Sequence, residues 1–296
     1  MKYVLTGGAG HITKPAAEKL LAAGHEVTII SRNADNVKDL VAKGAKVAAG
    51  SVEDAAFLTA AFSGADAVYL MIPPNFNPGD NWRAFQNEVA DIFVAAIVKN
   101  NIKNVVMLSS IGAHMGEGTG PVDGLADLEK KLAPLKEVNI KFLRPSYFMY
   151  NLFSMIPLIK GMNIMGSNFG GTGEKLVLTH TTDIAAALAE ELLELNFNGH
   201  SIRYIASDER DPAEIATVLS NAIGKPGIPW VVFTDEQSLE GMLQAGLPAT
   251  IAQGYTVMGK ALRTGAMQED YWKHKPVAGK IKLEDFAKEF VAAFNA

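Results

Sequence analysis

Cysteine is absent from this 296-residue chain, which excludes disulfide bridges, thiolate catalysis and cysteine-ligated metal and is compatible with a reducing compartment. The six histidines show no HxH or HxxxH spacing, so no metal centre is expected. No Lys/Arg cluster stands out, and the net charge of −5 offers phosphate backbones no broad basic face, so nucleic acid is not an expected partner. No apolar run reaches the roughly 18 residues of a membrane span, and no charged leader with an apolar segment and cleavage site precedes the first strand. A cytoplasmic protein without a membrane partner is therefore expected. A GxSxG elbow is missing too, which argues against serine hydrolysis. What is present is an ordinary globular composition, 48% hydrophobic and 20% charged, sufficient for one substantial core and a smaller lobe.

The most informative segment is the first. An apolar run, Tyr3-Val4-Leu5, ends in Thr6-Gly7-Gly8-Ala9-Gly10 and continues as His11-Ile12-Thr13-Lys14-Pro15-Ala16, the pattern of a strand, a glycine turn and a helix. Gly7 lets the chain turn off the strand, Gly10 keeps a side chain away from an approaching diphosphate, and a helix opening near His11 and Ile12 aims free N–H groups and its positive dipole end at the anion. Such a glycine pattern is weak alone. A second strand, His25 to Ser31, supplies the βαβ context that a dinucleotide site requires.

Strand and helix signals then alternate. Helices are expected near 36–43, 52–62, 81–100 and 124–136, with strands at 45–49, 65–72, 104–109 and 140–144, the last closed by Pro145. The strands read as near-continuous apolar runs, as in a parallel sheet covered on both faces. The fold class is α/β, a Rossmann-type doubly wound parallel sheet with a smaller, mostly helical C-terminal lobe. Residues 1–150 form the cofactor domain and 151–296 the substrate lobe; segments in about 176–206, including a helix capped by Asp183 and a strand at 201–206, could rejoin the sheet. A glycine-rich run, Gly170 to Lys175, lacks the Gly-Lys-Ser/Thr ending of a phosphate loop.

Ligands of open parallel sheets bind beyond the carboxyl ends of the strands. Cofactor contacts are accordingly expected from Thr6, Gly7, Gly10, His11 and Ile12, from Ser31 and Arg32, from Ser51, from Ile72, Pro73 and Pro74, from Ser109 and Ser110, and from Pro145. An NAD ribose would call for an acid at the end of the second strand, where Ser31-Arg32 stands instead. A guanidinium and a hydroxyl suit a 2′-phosphate, so NADP(H) is favoured over NAD(H), with Asp35 near enough to keep the ribose alternative open.

Along the whole chain, TGGAGHIT at the N-terminus, the Ser31-Arg32 pair, Pro73-Pro74, LSSIGAH at 108–114 and RPSYFMYN at 144–151 resemble the NmrA-like atypical short-chain dehydrogenases, a family of quinone reductases, isoflavone-reductase-like enzymes and redox-sensing regulators. Thr13 stands where many relatives carry a third glycine, which implies a first helix slightly farther from its strand. The resemblance also implies a Tyr-x-x-x-Lys pair within 121–129, where the Lys lowers the phenol's pKa, and none is there. Many NmrA-like enzymes instead place a Lys or His about four residues before a Glu; with Glu129 as that Glu, the position is Leu125. A literal Tyr271-x-x-x-Lys275 runs into Pro276 and reads as a surface coincidence.

Catalytic residues therefore remain open, with His114 and Tyr147 as candidates. A substrate pocket of His114, Tyr147, Phe148 and Asn151 is expected, roofed by Trp82 and flanked by Tyr150, though each aromatic is equally consistent with packing between lobes. The expected function is NADPH-dependent hydride transfer to a small quinone-like or conjugated carbonyl acceptor, whose delocalised anion can take its proton from water. The alternative is a non-catalytic NADP(H)-binding sensor. The expected partner is the small-molecule acceptor, the chain being a monomer or homodimer.

Overall fold

The computed structural model describes residues 1–296. In chain order the elements are β1 (Lys2–Leu5), α1 (Thr13–Ala22), β2 (Glu26–Ser31), α2 (Lys38–Ala42), β3 (Lys46–Ala49), α3 (Ala55–Ala61), β4 (Ala67–Leu70), α4 (Trp82–Asn100), β5 (Asn104–Leu108), α5 (Asp123–Leu132) and β6 (Asn139–Pro145). There follow β7 (Tyr147–Phe148), α6 (Met155–Met162), β8 (Met165–Ser167), β9 (Leu176–Thr179), α7 (Thr181–Glu194), β10 (His200–Ile205), β11 (Asp208–Arg210), α8 (Pro212–Ala222), β12 (Trp230–Val232), α9 (Asp235–Gln244), α10 (Ala249–Arg263), α11 (Glu269–Lys273) and α12 (Leu283–Asn295). No helix is long and apolar enough to cross a membrane.

Seven strands form one sheet in the order β10-β6-β5-β4-β1-β2-β3, with every pairing parallel. Alternation along each strand divides its side chains between two cores. Val4, Ile30, Val68, Leu70, Val105 and Met107 pack towards α3, α4 and α5, while Tyr3, Leu5, Ile29, Tyr69 and Val106 pack towards α1 and α7. That double burial is why these strands are apolar without alternation in the sequence. The chain reverses direction of progression between β1 and β4, so the crevice opens there, at their carboxyl ends.

The helices begin where side chains satisfy the free N–H groups. Asp54 accepts from the Phe57 N–H, Asn81 from that of Ala84, and Asp211 forms a capping box with Glu214. α7 departs from expectation: its cap is His180, which accepts from the Thr182 N–H, and not Asp183. Asp183 lies in the first turn and receives the Ser207 hydroxyl at 2.6 Å and the Lys280 N–H at 3.2 Å, tying the C-terminal segment down. β6 also runs on through Pro145, its last residue, whose carbonyl accepts from the Ile111 N–H.

α7 packs on α1 and β10 pairs with β6, so this stretch returns to the large sheet, whereas β9 joins β7 and β11 in a separate three-stranded sheet. A third core, built from Met149, Leu152, Met165, Phe169, Ile215, Leu262, Tyr271, Phe286 and Phe290 among others, holds the C-terminal part together.

Candidate active site

The turn after β1 is shaped by two glycines in the left-handed region, Gly7 at φ +93° and Gly8 at φ +57°. A Cβ on Gly7 would lie 2.5 Å from Thr13 Oγ1, and that hydroxyl donates to the Thr6 carbonyl at 3.0 Å. Thr13 is thus accommodated within the turn itself. The bare Gly7 makes room for the hydroxyl, which finds its partner on β1. Thr6 is fully buried; its hydroxyl donates to the Tyr69 carbonyl and accepts from the Met71 N–H at 2.7 Å, pinning β1 to the end of β4.

α1 opens at Thr13, two residues later than the sequence suggests, with no side-chain cap at Ile12. Gly10 is exposed before it, and a Cβ there would meet one atom, the Gly7 carbonyl oxygen at 3.1 Å, and otherwise project outward. An uncapped helix start beside bare backbone fits a diphosphate.

These residues border a cleft of about 680 Å³ whose walls include Gly7, Gly8, Ala9, Gly10, Ser31, Arg32, Asn33, Asn36, Ser51, Glu53, Met71, Pro73 and Pro74. Of the expected contacts, Gly7, Gly10, Ser31, Arg32, Ser51, Pro73 and Pro74 line it. Ile12, Ile72 and Pro145 are buried and do not, and Thr6 lies in the sheet beneath. Asn33, Asn36, Glu53 and Met71 escaped the sequence reading, although each stands within a few residues of a strand end.

Ser31 differs from its expected role: its hydroxyl donates to the Asn33 carbonyl at 2.7 Å and so belongs to the turn. Arg32 is exposed and is the single cation on the cleft wall. Asp35, the alternative ribose acceptor, is off that wall and pairs with Lys38 at 3.0 Å. The carboxylate present, Glu53, accepts from Ser51 at 3.3 Å beyond β3.

Across the switch point the expected substrate residues separate. Tyr147 and Phe148 are neighbours in a strand and point to opposite sides, Tyr147 against the C-terminal core and Phe148 against the core that the large sheet forms with α1 and α7, so they cannot share one wall. Asn151 is exposed, and its carbonyl accepts from Ser154. His11 is also exposed and lies against Tyr150 with ring centroids 4.9 Å apart.

His114 stands elsewhere, in a groove of about 720 Å³ shared with Arg83, Glu129, Arg144 and His200. There Arg144 forks onto Glu129 at 2.6 and 3.0 Å, and Ser109 donates to the same carboxylate. Burial opposes the Arg144 charge, but Glu129 overrides this and holds the guanidinium ionised. Tyr204 donates to Asp270, and burial together with that carboxylate pushes its phenol up to about 12. Ser109 is thereby committed to the network, while Ser110 stays half-buried at the end of β5.

Leu125 packs half-buried against the sheet core, so α5 brings no proton-handling group there. Tyr271 and Lys275 both bond Glu209, at 2.7 and 2.8 Å. Tyr271 is not a surface residue: it is 1% exposed and part of the lobe's core.

Aromatic side chains meet in two groups around the C-terminal core, edge-on in the first two contacts and tilted in the third. Trp82 meets Tyr255 of α10 at 5.7 Å between ring centroids, Tyr147 meets Phe169 at 5.8 Å, and Phe169 meets Trp230 at 5.6 Å.

The model of a family described as NAD(P)H-binding matches residues 7–194. An NAD(P)H azoreductase from Xenophilus azovorans is 26% identical over 99% of this chain and 99% of its own. Among solved structures, an NADPH-dependent quinone oxidoreductase from Escherichia coli complexed with NADPH superposes with a TM-score of 0.77 at 19% identity over 97% of this chain and 99% of that one. A triphenylmethane reductase from Citrobacter sp. complexed with NADP(H) gives 0.78 at 17% identity over 98% and 100%. These two likenesses establish a common fold.

Proposed function

Because this chain belongs to the NAD(P)H-binding family, we propose that it is an NADPH-dependent oxidoreductase acting on a flat quinone-like or conjugated carbonyl acceptor. The observation that carries the proposal is the cleft itself: a left-handed glycine turn, an uncapped helix start, and Arg32 facing the space beyond β2 with Asp35 turned away to Lys38. The named activities of the azoreductase and the quinone and dye reductases support a conjugated acceptor.

In this reading the backbone of Gly7 to Gly10 holds the diphosphate, Arg32 holds the 2′-phosphate, and Pro73, Pro74 and the ends of β5 and β6 seat the second half of the cofactor. When bound, NADPH supplies a hydride. Residues 1–150 with the returning α7 and β10 carry the cofactor, and the lobe within 151–296 closes the acceptor side. Leu125 on α5 leaves the usual acid position apolar, so the acceptor must be one whose reduced anion is delocalised and protonated with little help. A quinone meets that condition and a simple ketone does not.

The same apolar position favours a second reading, a sensor that binds NADP(H) without turnover. NADPH oxidation over a panel of quinones, enones and saturated ketones, run beside a cofactor titration, separates the two. Oxidation with quinones alone supports the enzyme. Tight binding without oxidation by any acceptor would replace it with the sensor.

A further inference from the structure

Seven tyrosines occur in the chain, and their hydroxyls have different fates. Those of Tyr3, Tyr204 and Tyr271 donate to Leu192, Asp270 and Glu209. Tyr69 is sealed inside the sheet at 0% exposure, and Tyr150 stands in solvent. Tyr147 and Tyr255 are different: both are half-buried, and neither hydroxyl bonds a protein group. Burial raises both phenols, with Tyr255 adding to the rise at Tyr147, so both stay protonated and act as donors at neutral pH.

Their position matters more than their protonation. Tyr147 follows Pro145 and Ser146 directly at the carboxyl end of β6. Tyr255 is bracketed by Trp82, which begins α4 just beyond the Pro73-Pro74 loop that borders the cofactor cleft. The two phenols thus come from segments far apart in the chain, Tyr147 from β7 just beyond β6 and Tyr255 from α10, and both pack against the C-terminal core.

The approach of α10 is built for this. The Trp82 N–H donates to Thr250 at 3.3 Å. A Cβ on Gly120 would fall 2.0 Å from the Gly254 carbonyl oxygen, and one on Gly254 would fall 3.2 Å from the Trp82 ring. Bare backbone at 120 is what lets the helix settle this close, and Gly254 leaves the Trp82 ring unhindered, carrying Tyr255 to Trp82.

We propose that Tyr147 and Tyr255 are a pair of hydrogen-bond donors that hold the carbonyl oxygen of a flat conjugated acceptor, with Trp82 bordering its ring. An unpartnered phenol at a half-buried position gains most from a ligand that brings an acceptor atom to it, and two such phenols packed against one core favour a ligand with carbonyl oxygen on a planar ring. This inference rests on the proposed function and assigns its acceptor site. In it Tyr255 is a specificity determinant contributed by the C-terminal lobe, and His114 has no part.

The test uses the full chain saturated with NADP+, in which menadione can bind but cannot be reduced, with tryptophan fluorescence as the readout because Trp82 adjoins Tyr255. Tyr147→Phe and Tyr255→Phe are each expected to weaken menadione binding by about 3- to 10-fold, the loss of one hydrogen bond. Binding of methylnaphthalene, which has the rings without the oxygens, and of NADPH is expected to be unchanged. Circular dichroism establishes that each variant is folded, and the two substitutions stand as independent trials. Menadione affinity within about twofold of wild type in both variants, or an equal loss for methylnaphthalene, overturns the inference. If the wild type nevertheless reduces menadione, the proposed function survives that failure; if it binds NADPH but neither binds nor reduces any quinone, both fall.

Discussion

Replacing Arg32 by alanine removes the one cation on the wall of the cofactor cleft. At about 4 Å and an effective dielectric near 20, a unit charge pair is worth roughly 4 kcal/mol before other costs. Arg32 is exposed, and holding its side chain still takes rotamer entropy while water screens the pair, so a net loss of about 1–2 kcal/mol is the reasoned figure. That corresponds to about a 5- to 30-fold rise in the NADPH dissociation constant. NADH, which lacks the 2′-phosphate, meets nothing at this position and is expected to change by less than about twofold. Arg32 forms no ion pair, since Asp35 is paired with Lys38 and Glu53, the carboxylate on the same wall, accepts from Ser51, so the substitution leaves no partner charge unpaired. The assay is equilibrium titration of both cofactors against wild type and variant at low and high salt. Salt is expected to erode the wild-type preference for NADPH and leave the variant nearly flat. Equal losses for the two cofactors, or a wild type that prefers NADH, would refute the assignment.

Three further outcomes follow from the geometry. Gly7→Ala forces a side chain into left-handed backbone and onto Thr13 Oγ1, and is expected to lower stability by about 2–3 kcal/mol in thermal or urea unfolding, whereas Gly10→Val projects into the cleft and is expected to abolish cofactor binding in a folded protein; a stable Gly7→Ala or a Gly10→Val that binds normally contradicts this. Hydrogen bonds from Arg263 first, and then Asn168, hold Asp235 down to about 2, so its folded-state pKa lies below its unfolded value and the stability it adds is full above pH 3.8 and is lost as pH falls through about 2. Asp235→Asn is therefore expected to melt below wild type at neutral pH, with the gap closing towards pH 2; a gap that stays constant with pH would count against the pairing. Tyr271→Phe is expected to cost about 1 kcal/mol of stability by loosening Glu209, and neither it nor Lys275→Ala is expected to change NADPH affinity or turnover; a large fall in turnover in a folded variant would move the chemistry to the lobe.

The sheet was legible because its strands are buried on both faces and because the Gly7-Gly8-Ala9-Gly10 turn combines local signals that coincide only at such a junction. Arg32 was legible for the same reason, as the residue immediately after a strand. Long-range placement was not. Tyr147 and Phe148 read as one aromatic wall until strand alternation divides them, and His114 follows β5 in the chain yet lies in the groove of Arg144 and Glu129. Tyr271 looks exposed by its position near Pro276, but contact with Tyr204, at 6.0 Å between ring centroids, buries it. α7 starts at Thr181, so His180 is its cap and Asp183, already inside the first turn, turns its carboxylate to Ser207 and Lys280, partners that no local pattern announces. Tyr255 gave no local signal, since its place depends on Gly120 and Gly254 meeting across the fold.

The central claim is that this site passes two electrons from NADPH to a quinone-like acceptor. Anaerobic single turnover measures it directly: the protein is loaded with NADPH and mixed with menadione, and the near-ultraviolet absorbance of NADPH is followed while the reduced quinone is quantified. Loss of NADPH matched mole for mole by reduced quinone, and absent without the protein or with the Gly10→Val variant, is the predicted result. NADPH that stays bound and unoxidised in the presence of quinone would contradict the account and leave the chain a binding protein.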